Sequence, residues 1–377
     1  MESPKSIDLP ALTGLRFVAA FYVFLFHIQI RTPFVENEFA IAFLSQGAVG
    51  MTIFFMLSGY ILTHRYTGKH FSDRDFVVSR FARIYPVYIV SFVLAVPMLY
   101  FQFDDLRFGI WSALAQIGVI IFCVLFMIQA WFPMLFSYVN NSASWSLSVE
   151  AFFYSTFLLI HRRIAGLRVR HQATLVFMLW TVSVVTAIAY YAFENRPQPG
   201  LMIFYAMPIF RLSEFMIGMC IYHIVKRNLN ARLYASRLAP ILLAFSIVYL
   251  ATFGPLLPIY IGHNWIIIPL VATVLVALSQ EVPSRGKAMF SSGLMVYLGK
   301  ISYCFYCFQF HVLAALTFLM PDYKNQGVTY FLLCLGVLLI CSSFFYHALE
   351  EPARKYISQA LKSPKPTTWK IQHDPLP

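Results

Sequence analysis

Residues 11–30, ALTGLRFVAAFYVFLFHIQI, decide the class of fold to which this chain belongs. A helix of about 20 apolar residues covers the ~30 Å hydrocarbon core of a membrane. The stretch is too long for the apolar core of a signal peptide, and it carries Arg16 and His27 within it. We therefore interpret it as an uncleaved first transmembrane helix.

Apolar stretches of similar length recur as far as residue 347. Of the 377 residues, 59% are hydrophobic and only 12% are charged, too few charges to coat a soluble protein of this size. The composition predicts an all-α, polytopic bundle of membrane helices. We expect residues 1–349 to form the membrane domain and residues 350–377 a cytoplasmic C-terminal tail. The apolar segments are 11–31, 47–63, 84–100, 111–132, 146–160, 173–193, 202–225, 238–253, 263–280, 292–320 and 327–347.

The basic residues predict which of these segments cross the membrane. If every segment crossed, the basic loops at 161–171 and 226–237 would lie outside, against the preference of Lys and Arg for the cytoplasmic side. The conflict disappears if segment 111–132 is re-entrant or lies on the surface. About ten transmembrane helices then remain, both termini are cytoplasmic, and most of the 28 Lys and Arg residues lie inside. We expect a multi-pass protein of the inner (plasma) membrane.

Nucleic-acid binding, a disulfide framework and a metal site are all disfavoured. The net charge of +12 comes from short loops between apolar segments, which argues against a nucleic-acid partner. All six cysteines lie in apolar segments, which argues against disulfides. Cys304 and Cys307 would share one helix face, but no second pair lies near them in the sequence. We therefore predict buried thiols that pack as small hydrophobic groups, and no metal.

Ionisable side chains inside the apolar segments are the first candidates for a functional site, because each costs at least about 2.5–3.5 kcal/mol to insert. Arg16 and His27 lie about 16 Å and just over three turns apart on a helix, so they share one face. On the topology above, Glu150 lies about 7 Å below the outer boundary, close to the level of His27. An imidazole and a carboxylate at one level can form a base and its orienting group. The alternative is structural: a snorkelling Arg16, a hydrogen-bonded His27 and a neutral Glu150.

Two pairs of residues at positions i and i+3 add further candidates. Arg80 and Arg83 would project from one helix face, where their planar guanidinium groups suit phosphate oxygens. The alternative for them is the ordinary basic flank of a transmembrane helix. Arg211 and Glu214 lie near the middle of their segment and can neutralise one another. From these residues alone, a structural ion pair is the favoured interpretation.

Together these stretches resemble the acyltransferase-3 family of integral membrane acyltransferases, of the type that O-acetylates bacterial surface glycans. Each motif alone is weakly specific, whereas their joint order and spacing over nearly the whole chain are very specific. The motifs are Gly14-Leu15-Arg16 with His27, Phe54-Phe55-Met56-Leu57-Ser58-Gly59-Tyr60, Arg80-x-x-Arg83-x-x-Pro86, Trp145-Ser146-Leu147-Ser148-Val149-Glu150-x-Phe152-x-Tyr154, Arg211-x-x-Glu214-x-x-x-Gly218, Leu298-Gly299-Lys300-Ile301-Ser302-Tyr303 with His311, and Glu351-Pro352.

The resemblance implies an enzyme that takes an acyl group, most often acetyl, from cytoplasmic acetyl-CoA and places it on a hydroxyl of a surface or lipid-linked glycan. Acetyl-CoA would be a co-substrate, and membrane lipids and proteins of polysaccharide (exopolysaccharide) biosynthesis would be partners. By position, the resemblance implies catalytic roles for His27 and Glu150. The residues expected to bind the donor are Arg16, Arg80, Arg83 and Lys300. The residues expected to bind the acceptor are Ser58, Trp145, Tyr154, Arg211, Glu214 and His311.

Two questions stay open at the level of the sequence. His27 can act as a general base or form a covalent acyl-histidine. Buried Arg, Glu and His residues also mark the paths of membrane transporters for anionic or polar substrates, which is the alternative function. No convincing internal repeat is visible, which disfavours the transporter. For the enzyme, we expect a passage that is lined by arginines at the cytoplasmic side and ends at His27 near the outer leaflet.

Overall fold

The regular structure of the protein is helical. The computed structural model describes residues 9–69, 71–102, 110–135, 144–192, 200–227, 229–257, 260–280 and 283–361, and within these ranges it contains α-helices and short 3-10 helices but no strand. The predicted all-α fold class is therefore confirmed.

The helices follow one another through connections that are short wherever the structure describes them. A π-helical turn, Tyr346–Glu350, joins α14 to α15. The α-helices are α1 (Pro10–Gln29), α2 (Glu38–Leu44), α3 (Gly50–Tyr66), α4 (Asp73–Gln102), α5 (Ile110–Leu125), α6 (Ser144–Ala165), α7 (Val169–Ala192), α8 (Gly200–Ala206), α9 (Pro208–Arg227), α10 (Leu229–Thr252), α11 (Asn264–Ser279), α12 (Arg285–Phe290), α13 (Gly293–Leu319), α14 (Gly327–Phe345) and α15 (Glu351–Leu361).

Among the described residues, nine helices are long and apolar enough to cross a membrane. Helix α6 is 22 residues long but less apolar, because it contains Glu150 and several serines and ends in His161-Arg162-Arg163. Nine of the about ten predicted transmembrane helices are thus found, and α6 as the tenth stays a prediction. The side of the membrane on which each terminus lies stays a prediction.

Helix α5 is the apolar segment that was predicted not to cross. Its 16 residues rise only about 24 Å, less than the hydrocarbon core. Its C-terminal end is held inside the bundle, where the Tyr88 hydroxyl donates a hydrogen bond of 2.8 Å to the carbonyl of Val124. Beyond a turn, the Gln129 side chain donates a 2.7 Å bond to the carbonyl of Ser144 at the start of α6. Val124 and Ser144 are both 0% exposed, which favours the re-entrant interpretation.

Glycines bring the helices that carry the charged residues into backbone contact. A Cβ on Gly59 of α3 would lie 2.0 Å from the carbonyl oxygen of Phe215, and one on Gly218 of α9 would lie 2.0 Å from that of Met56. Gly299 of α13 approaches the backbone of α1 in the same way. Small residues are typical of such close contacts between membrane helices. The glycines in the sequence motifs therefore act in packing.

We expect Gly218→Ala to destabilise the protein, because the added methyl group forces α3 and α9 apart. Overpacking of this kind typically costs about 1–3 kcal/mol. The check is the thermal unfolding midpoint of the purified protein in detergent. Gly336→Ala is the matched control, since a Cβ there meets nothing within 4 Å. Equal midpoints for the two variants would contradict the packing role.

Candidate active site

A cavity of about 100 Å³ lies among α1, α3, α4, α6 and α13. Its lining contains three arginines and one carboxylate, so its walls carry more positive than negative charge. Its apolar walls include Met51, Phe54 and Leu57. The polar side chains that line it are Arg16, Ser58, Arg80, Arg83, Ser146, Glu150, Tyr154, Ser302, Tyr303 and Tyr306.

Arg80 and Arg83 both face this cavity, as their spacing on α4 predicts, but their surroundings differ. Arg83 forms an ion pair with Glu350, whose side chain is 1% exposed. The Arg80 guanidinium lies 5.7 Å from the ring centroid of Tyr154, and its Nε has no hydrogen-bond partner. Arg83 is therefore neutralised by Glu350, whereas Arg80 forms no ion pair with a carboxylate in the described part of the chain.

Glu350 lies one residue inside the segment that we expected to form the polar tail. It forms an ion pair with Arg83, which lines the cavity, and the Cys304 thiol donates a 3.2 Å hydrogen bond to its second carboxylate oxygen. Glu350 therefore contacts the cavity lining, while the expected boundary of the membrane domain at residue 349 stays a prediction. Glu350 is a site residue that the sequence analysis missed, although it directly precedes the Glu351-Pro352 motif.

Glu150 is the only carboxylate among the side chains that line the described cavity. It accepts hydrogen bonds from the hydroxyls of Tyr154 and Ser58, the latter at 3.4 Å. Arg16 faces the same cavity and interacts electrostatically with Glu150, Arg80 and Arg83. Within the described part of the chain, Arg16 forms no ion pair. The cavity therefore joins the predicted donor-binding arginines to Glu150, Tyr154 and Ser58.

His27 has different neighbours. The Nη1 atom of Arg31 lies 3.2 Å from His27 Nδ1 and donates a 3.0 Å hydrogen bond to the His27 carbonyl oxygen. The rings of His27 and Phe310 lie 4.6 Å apart, and the Arg31 guanidinium lies 4.9 Å from the Phe310 centroid. A guanidinium group can only donate, so Nδ1 is the acceptor and the neutral ring holds its proton on Nε2.

The expected pairing of His27 with Glu150 is corrected by this geometry. Glu150 shares the cavity with Arg16, whereas His27 lies about 16 Å farther along α1. Glu150 instead accepts a hydrogen bond from Ser58 of α3 and lies on the level of Arg16 in the cavity.

The cavity ends about one helical turn short of His27. Tyr306 lines its far end, where its hydroxyl lies 2.7 Å from the Ser146 hydroxyl and 3.6 Å from the sulfur of Met51. Phe310, which contacts His27, follows Tyr306 by one turn of α13. The described cavity thus extends from the arginines as far as Tyr306, and the continuation of the expected passage to His27 stays a prediction.

Arg211 and Glu214 form a separate, buried network. They are 1% and 0% exposed, and their charged atoms lie 3.0 Å apart. Glu214 also accepts a 2.7 Å hydrogen bond from Asn264 and a 3.3 Å bond from Thr52. Neither lines the cavity. This geometry supports the structural ion pair and not the expected contact with the acceptor.

Three other candidates also lie outside the cavity lining. Lys300 is exposed. The Nε2 atom of His311 lies 2.8 Å from the backbone carbonyl of Ser91. Trp145 is 5% exposed and packs against Tyr205, with ring centroids 4.8 Å apart. None of these three side chains therefore lies in the cavity lining with the arginines and Glu150.

The family model described as "Acyltransferase domain" matches residues 9–347. The chain belongs to the acyltransferase-3 family. It is therefore an integral membrane acyltransferase, as the motifs indicated, and the transporter alternative is not supported.

Similar curated proteins agree with the family. The chain is 26% identical to the acyltransferase MdmB of Streptomyces mycarofaciens, over 97% of each chain. It is 23% identical to a candidate O-acetyltransferase of Staphylococcus aureus (strain COL), over 94% of this chain and 58% of that protein. It is 25% identical to YrhL of Bacillus subtilis, a candidate peptidoglycan O-acetyltransferase, over 92% of this chain and 55% of that protein. The chain thus spans all of the first relative but little more than half of the other two. No solved structure matches.

We expect Arg211→Met to destabilise the protein, because it leaves Glu214 charged, buried and unpaired. Breaking a buried ion pair in this way typically costs about 3–5 kcal/mol. The measurement is the folded fraction of detergent-purified protein by size-exclusion chromatography, together with its unfolding midpoint. Arg237→Met, at an exposed arginine, is the control. A well-folded Arg211→Met protein that is impaired only in acceptor binding would instead support the substrate-binding role.

Proposed function

We propose that this protein is a membrane O-acyltransferase that moves an acetyl group from acetyl-CoA to a hydroxyl of a surface or lipid-linked glycan. Family membership supports acyl transfer. The relatives from Staphylococcus aureus and Bacillus subtilis are named as O-acetyltransferases, the latter acting on peptidoglycan. We place the protein in the inner (plasma) membrane, where polysaccharide-biosynthesis proteins would be its partners.

The observation that carries the proposal is the unbalanced positive charge of the cavity. Glu350 neutralises Arg83, and Glu150 is the remaining carboxylate for Arg16 and Arg80. A buried charge without a partner is costly, so a site of this kind favours an anionic ligand. Guanidinium groups suit the phosphate oxygens of coenzyme A in particular.

The rest of the cavity suits the pantetheine arm of acetyl-CoA, which carries the thioester. Its walls combine apolar side chains such as Met51 and Phe54 with hydroxyls such as Ser58, and a pantetheine arm carries both methyl and amide groups. A volume of about 100 Å³ is below the ~300–1,000 Å³ of ordinary ligand pockets. The cavity therefore has room for part of the donor, and the nucleotide must lie elsewhere.

In the proposed reaction, the acceptor hydroxyl attacks the thioester carbon, the new C–O bond forms and the C–S bond breaks. His27 removes the proton from the hydroxyl, and that proton ends on the coenzyme A thiolate. The ring nitrogen of His27 that has a lone pair is Nδ1, which accepts from Arg31. Arg31 must therefore move before His27 can accept a proton. The covalent acyl-histidine route requires the same movement of Arg31, because Nδ1 would then be the nucleophile.

We expect His27→Ala to lose acetyl transfer by about 10²–10⁴-fold, the usual contribution of a general base, with normal amounts in the membrane. The measurement is the transfer of radiolabel from acetyl-CoA to glycan in isolated membranes, with mass spectrometry of acetyl esters on surface glycans. His171→Ala, at an exposed histidine, is the control. Retained transfer in His27→Ala would remove His27 from the reaction. Absence of transfer by the unaltered protein would refute the proposed function.

We expect Arg80→Gln to raise the KM for acetyl-CoA more than it lowers kcat, because Arg80 lines the cavity and, unlike Arg83, forms no ion pair with a described carboxylate. Each lost contact to a charged group is worth about 1.5–3 kcal/mol. Steady-state kinetics at varied donor concentration give both constants. Arg237→Gln is the control at an exposed position. An unchanged donor KM would count against phosphate binding by Arg80.

A further inference from the structure

A second cavity, of about 250 Å³, lies where the end of α3, the start of α4 and the end of α6 meet. Its location is at the basic end of these helices, next to the arginines of the first cavity. It is lined by Tyr66, Gly68, Lys69, Phe71, Asp73, Leu158, His161 and Arg162. Nothing in the proposed transfer reaction uses these residues.

The contact between Arg80, which lines the first cavity, and Tyr66, which lines the second, lies between the two cavities, and we call it the shared wall. The Arg80 guanidinium faces Tyr154 of the first cavity at 5.7 Å and Tyr66 of the second at 6.0 Å. The Arg65 guanidinium lies 5.9 Å from the same Tyr66 ring. A ligand that extends from one cavity to the other would therefore pass two arginines.

The second cavity has the groups that recognise a nucleotide. The rings of Tyr66 and Phe71 lie 4.5 Å apart and provide aromatic surface for a base. Lys69 provides a cation for a phosphate, while Asp73 is already paired with Arg162 at 2.6 Å. His161 is only 8% exposed and its Nδ1 has no hydrogen-bond partner. The His161 ring stacks on that of Phe157 at 5.1 Å, so the aromatic surface and Lys69 are the groups that the cavity offers to a nucleotide.

We propose that the second cavity binds the adenosine 3′-phosphate end of the acyl donor, a proposal that rests on the proposed function. The base packs against Tyr66 and Phe71, and the 3′-phosphate lies near Lys69. The pyrophosphate passes Arg65 and Arg80 at the shared wall, and the arm enters the first cavity. This arrangement accounts for a first cavity that is too small for the whole donor.

The test compares two donors that differ only at the nucleotide end. Acetyl-CoA has the adenosine 3′-phosphate, whereas acetyl-4′-phosphopantetheine lacks it. We expect Phe71→Ala and Lys69→Ala to raise the KM for acetyl-CoA at least about fivefold, since stacking of one base is worth that much. The KM for acetyl-4′-phosphopantetheine should not change. Controls are Phe177→Ala, at a ring that is 63% exposed, and Lys324→Ala, at an exposed lysine.

A second measurement separates this inference from the proposed function. Adenosine 3′,5′-bisphosphate should raise the thermal midpoint of the detergent-purified protein, and Phe71→Ala should abolish that rise. If the unaltered protein transfers no acetyl group but still binds the bisphosphate through Phe71, the proposed reaction fails and the nucleotide site stands. An equal rise in KM for both donors, or a bisphosphate effect that survives Phe71→Ala, would overturn the inference.

Discussion

The site depends on positive charge in the cavity that the described residues do not fully neutralise. Arg16 and Arg80 face a cavity whose remaining carboxylate, Glu150, is already hydrogen-bonded to two hydroxyls. In a membrane protein this arrangement is costly unless an anion completes it. The protein reduces the cost by pairing Arg83 with Glu350 and by placing aromatic rings against the guanidinium of Arg80. A phosphate-bearing donor can supply the charge that is left.

The buried pair of Arg211 and Glu214 shows what a completed arrangement looks like in the same bundle. Its two charges lie 3.0 Å apart, and Asn264 donates a further hydrogen bond to the carboxylate. This network pairs its own charges and lies outside the cavity lining, although Arg211 Nε, like Arg80 Nε, has no hydrogen-bond partner among the described residues. The two sites therefore differ in charge balance. Residue types alone do not distinguish a structural ion pair from a binding site, but the partners of each charged side chain do.

The membrane helices and the arginine cluster on α4 could be predicted from the sequence, because hydropathy and an i, i+3 spacing are local properties. The position of Glu150 beside Ser58 and in one cavity with Arg16 could not be predicted in this way, because it depends on how α6 packs against α1 and α3. The pairing of Arg83 with Glu350 was missed for a related reason, since it joins residues 267 positions apart. Contacts between residues far apart in the sequence decide which charged side chains remain available to bind a ligand. Such contacts cannot be inferred from the periodicity of the sequence.

The geometry between the cavity and His27 limits how the reaction can proceed. Tyr306 lines the far end of the cavity, and the ring that contacts His27 lies one turn, about 6 Å, farther along α13. The contacts of Tyr306 are a hydroxyl pair with Ser146 and a weak contact with the sulfur of Met51. Such contacts are exchanged at small net cost when a polar ligand replaces them. If the proposed thioester reaches Tyr306, we expect displacement of these side-chain contacts to be the step that lets it approach His27.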